Sequence, residues 1–262
     1  MGVFRYGATS NSRRPGRSSI RLLIKAHAVK VIIPAAGLGT RFAKEGLGVP
    51  KELLPLGGRP VLGHALDEAA RARFDAAVVV ISPSKPQIRN FLADTNLPLP
   101  VEIVVQPEAK GIGDAVLMCW VGKAMAVLLP DDVVRATEHW TALLDVHYRN
   151  GAAALCVRRV PIEKTSRFGI AECDGTRVTR LLEKPPPGTS SSDLAIFGRY
   201  IVTETVATGL RNLKTVGERE LTGGFAAAIQ SPAGVRAIYF EGEIYDCGTP
   251  AEYAESLARY KA

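Results

Sequence analysis

Val29-Lys30-Val31-Ile32-Ile33-Pro34-Ala35-Ala36-Gly37-Leu38-Gly39-Thr40-Arg41 is a β-branched apolar run that breaks into glycine. A short run without polar alternation predicts a strand buried on both faces, over residues 29–34, followed by a tight loop. The same alternation continues outward from it. Apolar residues at helical spacing (Val61, Leu62, Ala65, Leu66, Ala69) predict a helix over 60–73. Strands are then predicted over 76–81, 101–105 and 124–129, and helices over 85–93, 113–121 and 137–148. Strands alternating with helices specify an α/β fold with a parallel sheet and helices on both faces. In such sheets ligands bind beyond the carboxyl ends of the strands. After Gly151 the pattern changes. Strands are read over 152–160, 169–172, 177–182, 194–202 and 235–240, with a Pro/Ser-rich loop over 185–192 and a closing helix over about 250–260. Residues 29–262 are therefore expected to form one domain, its first half 29–150 and a smaller mixed half 151–262.

Composition excludes several function classes. The chain has 262 residues, 47% hydrophobic and 23% charged, and no apolar run long enough to span a bilayer as a helix. Its net charge of +7 is concentrated at one end. Arg5, Arg13, Arg14, Arg17, Arg21, Lys25 and Lys30 lie in the first 30 residues with no acidic residue among them, so the remainder is neutral. That balance speaks against nucleic acid as a partner. Residues 1–28 read as a basic, disordered leader. Their composition resembles a transit peptide, and the plainer readings, a mis-assigned start or appended residues, are favoured. Cys119, Cys156, Cys173 and Cys247 have no CxxC spacing and no histidine at metal-ligand spacing, so they read as reduced structural thiols in a cytoplasmic protein.

Three segments carry chemistry at strand ends. In Gly37-Leu38-Gly39-Thr40-Arg41 the glycines let backbone N–H groups approach phosphate oxygens, and Arg41 adds a forked cation. Phe42 stands where a dinucleotide fingerprint has its third glycine, and no Gly-Lys-Ser/Thr follows, so this is neither that fingerprint nor a P-loop. A bare Gly-x-Gly is more often a plain turn. Pro50-Lys51-Glu52-Leu53-Leu54-Pro55 supplies a second cation between backbone-fixing prolines, although Lys51 alone could be a solvated surface lysine. In Pro130-Asp131-Asp132 two carboxylates follow a strand end, and Asp132 reads as a helix N-cap.

Taken together, these segments resemble those of bacterial UTP–glucose-1-phosphate uridylyltransferases (UDP-glucose pyrophosphorylases), in the sugar nucleotidylyltransferase family. The resemblance rests on residues 34–42 with Lys51-Glu52-Leu53-Leu54-Pro55, on Gln106-Pro107-Glu108-Ala109-Lys110-Gly111-Ile112-Gly113-Asp114-Ala115-Val116, and on Leu128-Leu129-Pro130-Asp131-Asp132. Phe168-Gly169-Ile170, Glu183-Lys184-Pro185, Leu194-Ala195 through Gly198-Arg199-Tyr200, and Tyr245-Asp246-Cys247-Gly248 complete it in order. The implied fold is the nucleotide-diphospho-sugar transferase fold, a Rossmann-like, mixed but mainly parallel sheet with a smaller sugar-binding half.

By this resemblance Ala36, Gly37, Leu38, Gly39, Glu52, Gln106 and Gly111 bind the nucleotide, and Gly169, Glu183 and Lys184 the sugar phosphate. Asp131 holds Mg²⁺, with Asp246 as a second ligand, and Arg41, Lys51, Asp131 and Lys184 are catalytic. UTP and glucose 1-phosphate are the implied substrates, with no nucleic acid or membrane partner and a homo-oligomeric state. A thymidylyl- or cytidylyltransferase acting on another sugar stays open, as does a non-catalytic nucleotide-sugar sensor. Leu47, Asp193, Gly223 and Thr249-Pro250 depart from the family pattern and bear on which sugar is bound more than on the reaction.

Overall fold

The computed structural model describes residues 29–43, 48–215 and 217–261. The leader 1–28 and Leu47 lie outside them. β1 (Lys30–Ala35) leads through the glycine loop to the short α1 (Thr40–Ala43). A tight hairpin, β2 (Pro55–Leu56) and β3 (Arg59–Pro60), opens α2 (Val61–Arg71). Then follow β4 (Ala76–Ile81), α3 (Pro86–Asp94), β5 (Val101–Val105), α4 (Ile112–Met118), β6 (Met125–Leu128), β7 (Asp132–Val133) and α5 (Glu138–Asn150). The second half comprises β8 (Ala153–Arg159), β9 (Gly169–Asp174), β10 (Arg177–Glu183), β11 (Leu194–Val202), α6 (Glu204–Asn212), α7 (Leu221–Ile229), β12 (Val235–Tyr239), β13 (Tyr245–Asp246) and α8 (Pro250–Arg259).

Among the described residues nine strands form one mixed sheet in the order β5-β4-β1-β6-β11-β8-β12-β10-β9. The first four run parallel. β11 is antiparallel to both β6 and β8 and joins the halves. In the second half only β12 and β8 pair in parallel, and β9 returns to meet β11 at Ile170 and Ala195. Successive side chains of a strand serve opposite faces. Val31, Ile33, Val79 and Ile81 pack beneath α2, α3 and α5 with Leu66, Ile88 and Leu143. Ile32, Val78 and Val80 pack on the other face with Val116, Leu210 and Phe225 of α4, α6 and α7. This two-sided cover is why β4 is buried at every position.

β11 carries an irregularity between Phe197 and Tyr200. At Gly198 an added Cβ would collide with the Leu129 side chain, while Leu129 N–H donates to Gly198 O at 2.8 Å. The missing side chain lets the Pro130-Asp131-Asp132 turn lie close against β11. Asp132 is not a helix N-cap: it sits in β7, paired with Asp246 of β13, and α5 begins only at Glu138. The four cysteines are free. Burial pushes the Cys119 and Cys173 thiols up to about 12 and about 11, far from nucleophilic thiolates. Among the described residues no helix is long and apolar enough to cross a membrane.

Candidate active site

The site collects at the carboxyl ends of β1, β5 and β6. Past β1, Ala36 is buried, Leu38 is exposed, and Gly39 turns the chain with φ +62°. Among the described residues, apart from its chain neighbours, no atom lies within 4 Å of where a Cβ on Gly37 would stand, which leaves its backbone open to a ligand. Arg41 follows, exposed, at the start of α1.

Lys51, Glu52 and Leu53 form one 3₁₀ turn. Lys51 Nζ is ion-paired with Asp131, so the second cation and the candidate metal ligand meet. Burial would lower the Lys51 pKa, but Asp131 and Glu52 outweigh it and the ammonium is held above its ordinary range. Glu52 points the other way. Its carboxylate is 1% exposed and accepts from Lys85 Nζ at 2.8 and 2.9 Å, and Lys85 also donates to Ala35 O at 3.3 Å. Both oxygens of Glu52 are thus engaged by a buried lysine, and the residue ties the Lys51 turn beneath the end of β1. Lys85 escaped the sequence reading because a single lysine at a helix start ordinarily faces solvent.

Asp131, Asp132 and Asp246 lie together. Cys247 N–H donates to Asp131 O at 2.7 Å, and Asp132 and Asp246 face each other across β7 and β13. Asp132 Oδ2 accepts from Gly198 N–H at 3.2 Å, and Asp246 Oδ1 from Gly248 N–H at 2.9 Å. Burial, then the charges of Asp132 and Asp131, push the Asp246 carboxyl up to about 6. Crowded, partly desolvated carboxylates with oxygen-only donors fit a hard divalent cation that would relieve their repulsion. Among the described residues no group of three or more metal-ligating side chains is assembled, so two carboxylates and the substrate phosphates would complete such a site.

A buried network holds this turn from below. Arg199 is fully buried and grips Glu68 through Nε and Nη2 at 2.7 and 2.6 Å. The same guanidinium donates to Leu129 O at 3.0 Å and Asp132 O at 2.5 Å, bracketing Asp131. Trp140 Nε1 and His139 Nε2 also reach Glu68 Oε1, at 2.8 and 3.2 Å.

Gln106 ends β5, 4% exposed, with Nε2 donating to Gly111 O at 3.3 Å and Asp114 Oδ2 at 2.9 Å. Gly111 has φ +91°, and a Cβ there would strike the Arg219 backbone. Only glycine serves at that position.

In the second half, Lys184 adopts φ +43°, rare for a side chain that is not glycine. This turn sets its ammonium 3.2 Å from Glu183 and 3.8 Å from Glu220. Burial lowers the Lys184 pKa, but Glu183 and Glu220 raise it further, so the net direction is up. Glu183 Oε2 accepts from Thr222 at 2.9 Å beside Gly169, where a Cβ would stand 3.4 Å from the same oxygen. Arg41's charge is felt at both Lys51 and Lys184, opposing their protonation.

Over residues 30–262 the sequence matches the family described as Nucleotidyl transferase. The chain belongs to the nucleotidyl transferase family. A UTP–glucose-1-phosphate uridylyltransferase of Bacillus subtilis is 34% identical over 256 residues, covering 84% of this chain and 86% of that protein. The solved UTP-bound UGPase from Acinetobacter baumannii is 27% identical with a TM-score of 0.76, over 88% of this chain and 93% of that one. A UDP-glucose pyrophosphorylase complexed with UDP-glucose is 25% identical with a TM-score of 0.77, over 88% and 98%. Three of this nucleotidyl transferase's departures have local reasons. Asp193 accepts twice from Arg159 Nη1, at 2.7 Å each. Gly223 leaves room for Leu213, and Thr249 N-caps α8, accepting from Glu252 N–H at 3.3 Å.

Proposed function

We propose that the chain transfers a uridylyl group from UTP to glucose 1-phosphate, releasing pyrophosphate. An oxygen of the sugar phosphate attacks the α-phosphorus. The bond from that phosphorus to the β-bridging oxygen breaks, and its electron pair leaves with pyrophosphate. No side chain is uridylylated on the way, so catalysis is positioning plus charge stabilisation. Arg41 and Lys51 neutralise the leaving pyrophosphate, and Lys184 orients the attacking phosphate while Glu183 accepts hydrogen bonds from sugar hydroxyls. Gln106 and the backbone around Gly37 and Gly111 read the base and ribose. Asp131, with Asp246, would hold Mg²⁺, which when bound supplies charge neutralisation at the triphosphate oxygens.

The observation that carries this reading is the pairing of Lys51 with Asp131, which joins a cation from the turn after β1 to a carboxylate from the turn after β6. Residues 29–262 work as one unit, 29–150 on the nucleotide and 151–262 on the sugar. The β6–β11 pairing that carries the sheet across both halves supports this. We also read a cytoplasmic homo-oligomer, which light scattering on the purified chain tests. The reaction is tested by pyrophosphate release from a panel of nucleoside triphosphates and sugar 1-phosphates with Mg²⁺. UTP with glucose 1-phosphate should turn over fastest. Tight nucleotide-sugar binding with no pyrophosphate from any pair would make the chain a sensor.

A further inference from the structure

Gln106 offers a base one amide, and an amide can face it with a donor or an acceptor. The surroundings decide which. Both groups met by one end of that amide, Gly111 O at 3.3 Å and Asp114 Oδ2 at 2.9 Å, are acceptors, so that end must be the NH₂. Oε1 accepts no hydrogen bond among the described residues and is left as the reading atom. Asp114 is itself fixed: Arg219 Nη1 donates to its other oxygen at 3.3 Å. Arg219 is anchored by its backbone, donating from N–H to Lys110 O at 2.7 Å and accepting at its carbonyl from Gly113 N–H at 2.8 Å. The close fit of Gly111 and Gly113 against Arg219 leaves this segment no room to slide.

We propose that the Asp114–Arg219 pair locks Gln106 with its carbonyl toward the base, making it a selector for a pyrimidine that presents a ring N–H. This rests on the reading of Gln106 as a base contact. Uracil and thymine carry that N–H between two carbonyls. Cytosine has a lone pair at the same ring nitrogen, which would face Oε1 acceptor to acceptor. The pair thus discriminates by repulsion as well as attraction. Asp114 and Arg219 are positioning residues, acting only through Gln106. The segment that carries Arg219 continues to Glu220 and Thr222, which contact Lys184 and Glu183. The base-reading device and the sugar-side residues therefore share one strap of chain.

The test is isothermal titration of UTP, dTTP and CTP into the full-length chain, which reads dissociation constants without requiring turnover. The wild type should favour UTP and dTTP over CTP. Asp114→Asn lets the nearer neighbour donate as well as accept and leaves only the longer Gly111 O contact against reversal of the Gln106 amide, so the UTP-over-CTP preference should fall at least about tenfold. The UTP-to-dTTP ratio should hold, since both bases present the same N–H. Arg219→Met should move the preference the same way by a smaller factor, and carries the test should Asp114→Asn not fold. Arg219→Lys should restore most of it. Equal losses for all three nucleotides would overturn the lock and leave Asp114 a structural residue. Gln106→Ala separates the two levels of the claim. If it leaves the preference at its wild-type value, Gln106 does not read the base. If it abolishes the preference while Asp114→Asn and Arg219→Met keep it, Gln106 reads the base and the lock alone is wrong.

Discussion

Asp131 concentrates the chemistry of one residue into three contacts: its side chain on Lys51, its carbonyl receiving Cys247 N–H, and flanking carbonyls gripped by Arg199. Asp131→Ala should cut kcat at least about a hundredfold through lost charge stabilisation, while binding of UTP without metal survives. Steady-state rates beside metal-free titration check this, and near-normal turnover would remove Asp131 from the mechanism. Glu52 has a different task. Removing it strands the Lys85 ammonium, which is 6% exposed, without its only carboxylate partner among the described residues. Glu52→Ala should therefore destabilise the fold by about 3–5 kcal/mol, seen as a lower denaturation midpoint. A variant as stable as the wild type would return Glu52 to the ligand-contacting role its motif suggested. Nothing in Lys51-Glu52 distinguishes the outward residue from the inward one, because the choice is made by Lys85, distant in sequence.

Among the elements, those with a strong local signal were readable: β4, β5 and β11 are found at the residues that apolar runs predict. α6 and α7 were not, since Glu204–Asn212 and Leu221–Ile229 are rich in threonine and glycine and are made helical by packing against each other and the sheet. β7 and β13 were also hidden, as each is two residues long and gains its partner only in the fold. The Glu68 network that braces the site is of the same kind, drawn from α2, α5 and β11. It has a pH signature. Burial would raise the Glu68 pKa, but Arg199 and the hydrogen bonds from His139 and Arg199 bring it below its ordinary value. His139 is also lowered, chiefly by burial. In both cases the unfolded chain binds protons that the fold refuses. Stability is thus full above about pH 6.5 and lost as pH falls, first through the unfolded histidine range and then through the carboxylate range. His139→Gln should flatten the loss of denaturation midpoint between about pH 6.5 and 5. Parallel curves for variant and wild type would exclude His139 as the source.

At the scale of the whole molecule, one mixed sheet runs through both halves of the chain. The parallel first half was legible because its apolar runs alternate with helices. In the second half Gly169 and Glu183-Lys184 take their proposed roles from the family pattern and not from composition. That Lys184 sits in a left-handed turn beside Glu220 could not be read from sequence, as its partner lies beyond β11 and α6. The central claim is that the halves divide the substrates between them. Steady-state kinetics with each substrate varied in turn, on Lys184→Ala and Arg41→Ala, test it most directly. Lys184→Ala should raise KM for glucose 1-phosphate and lower kcat, with KM for UTP little changed, because a mis-aimed phosphate reacts slowly even when bound. Arg41→Ala should weaken UTP use first. If Lys184→Ala altered only the UTP dependence, the second half would not be the sugar's and the division would be wrong.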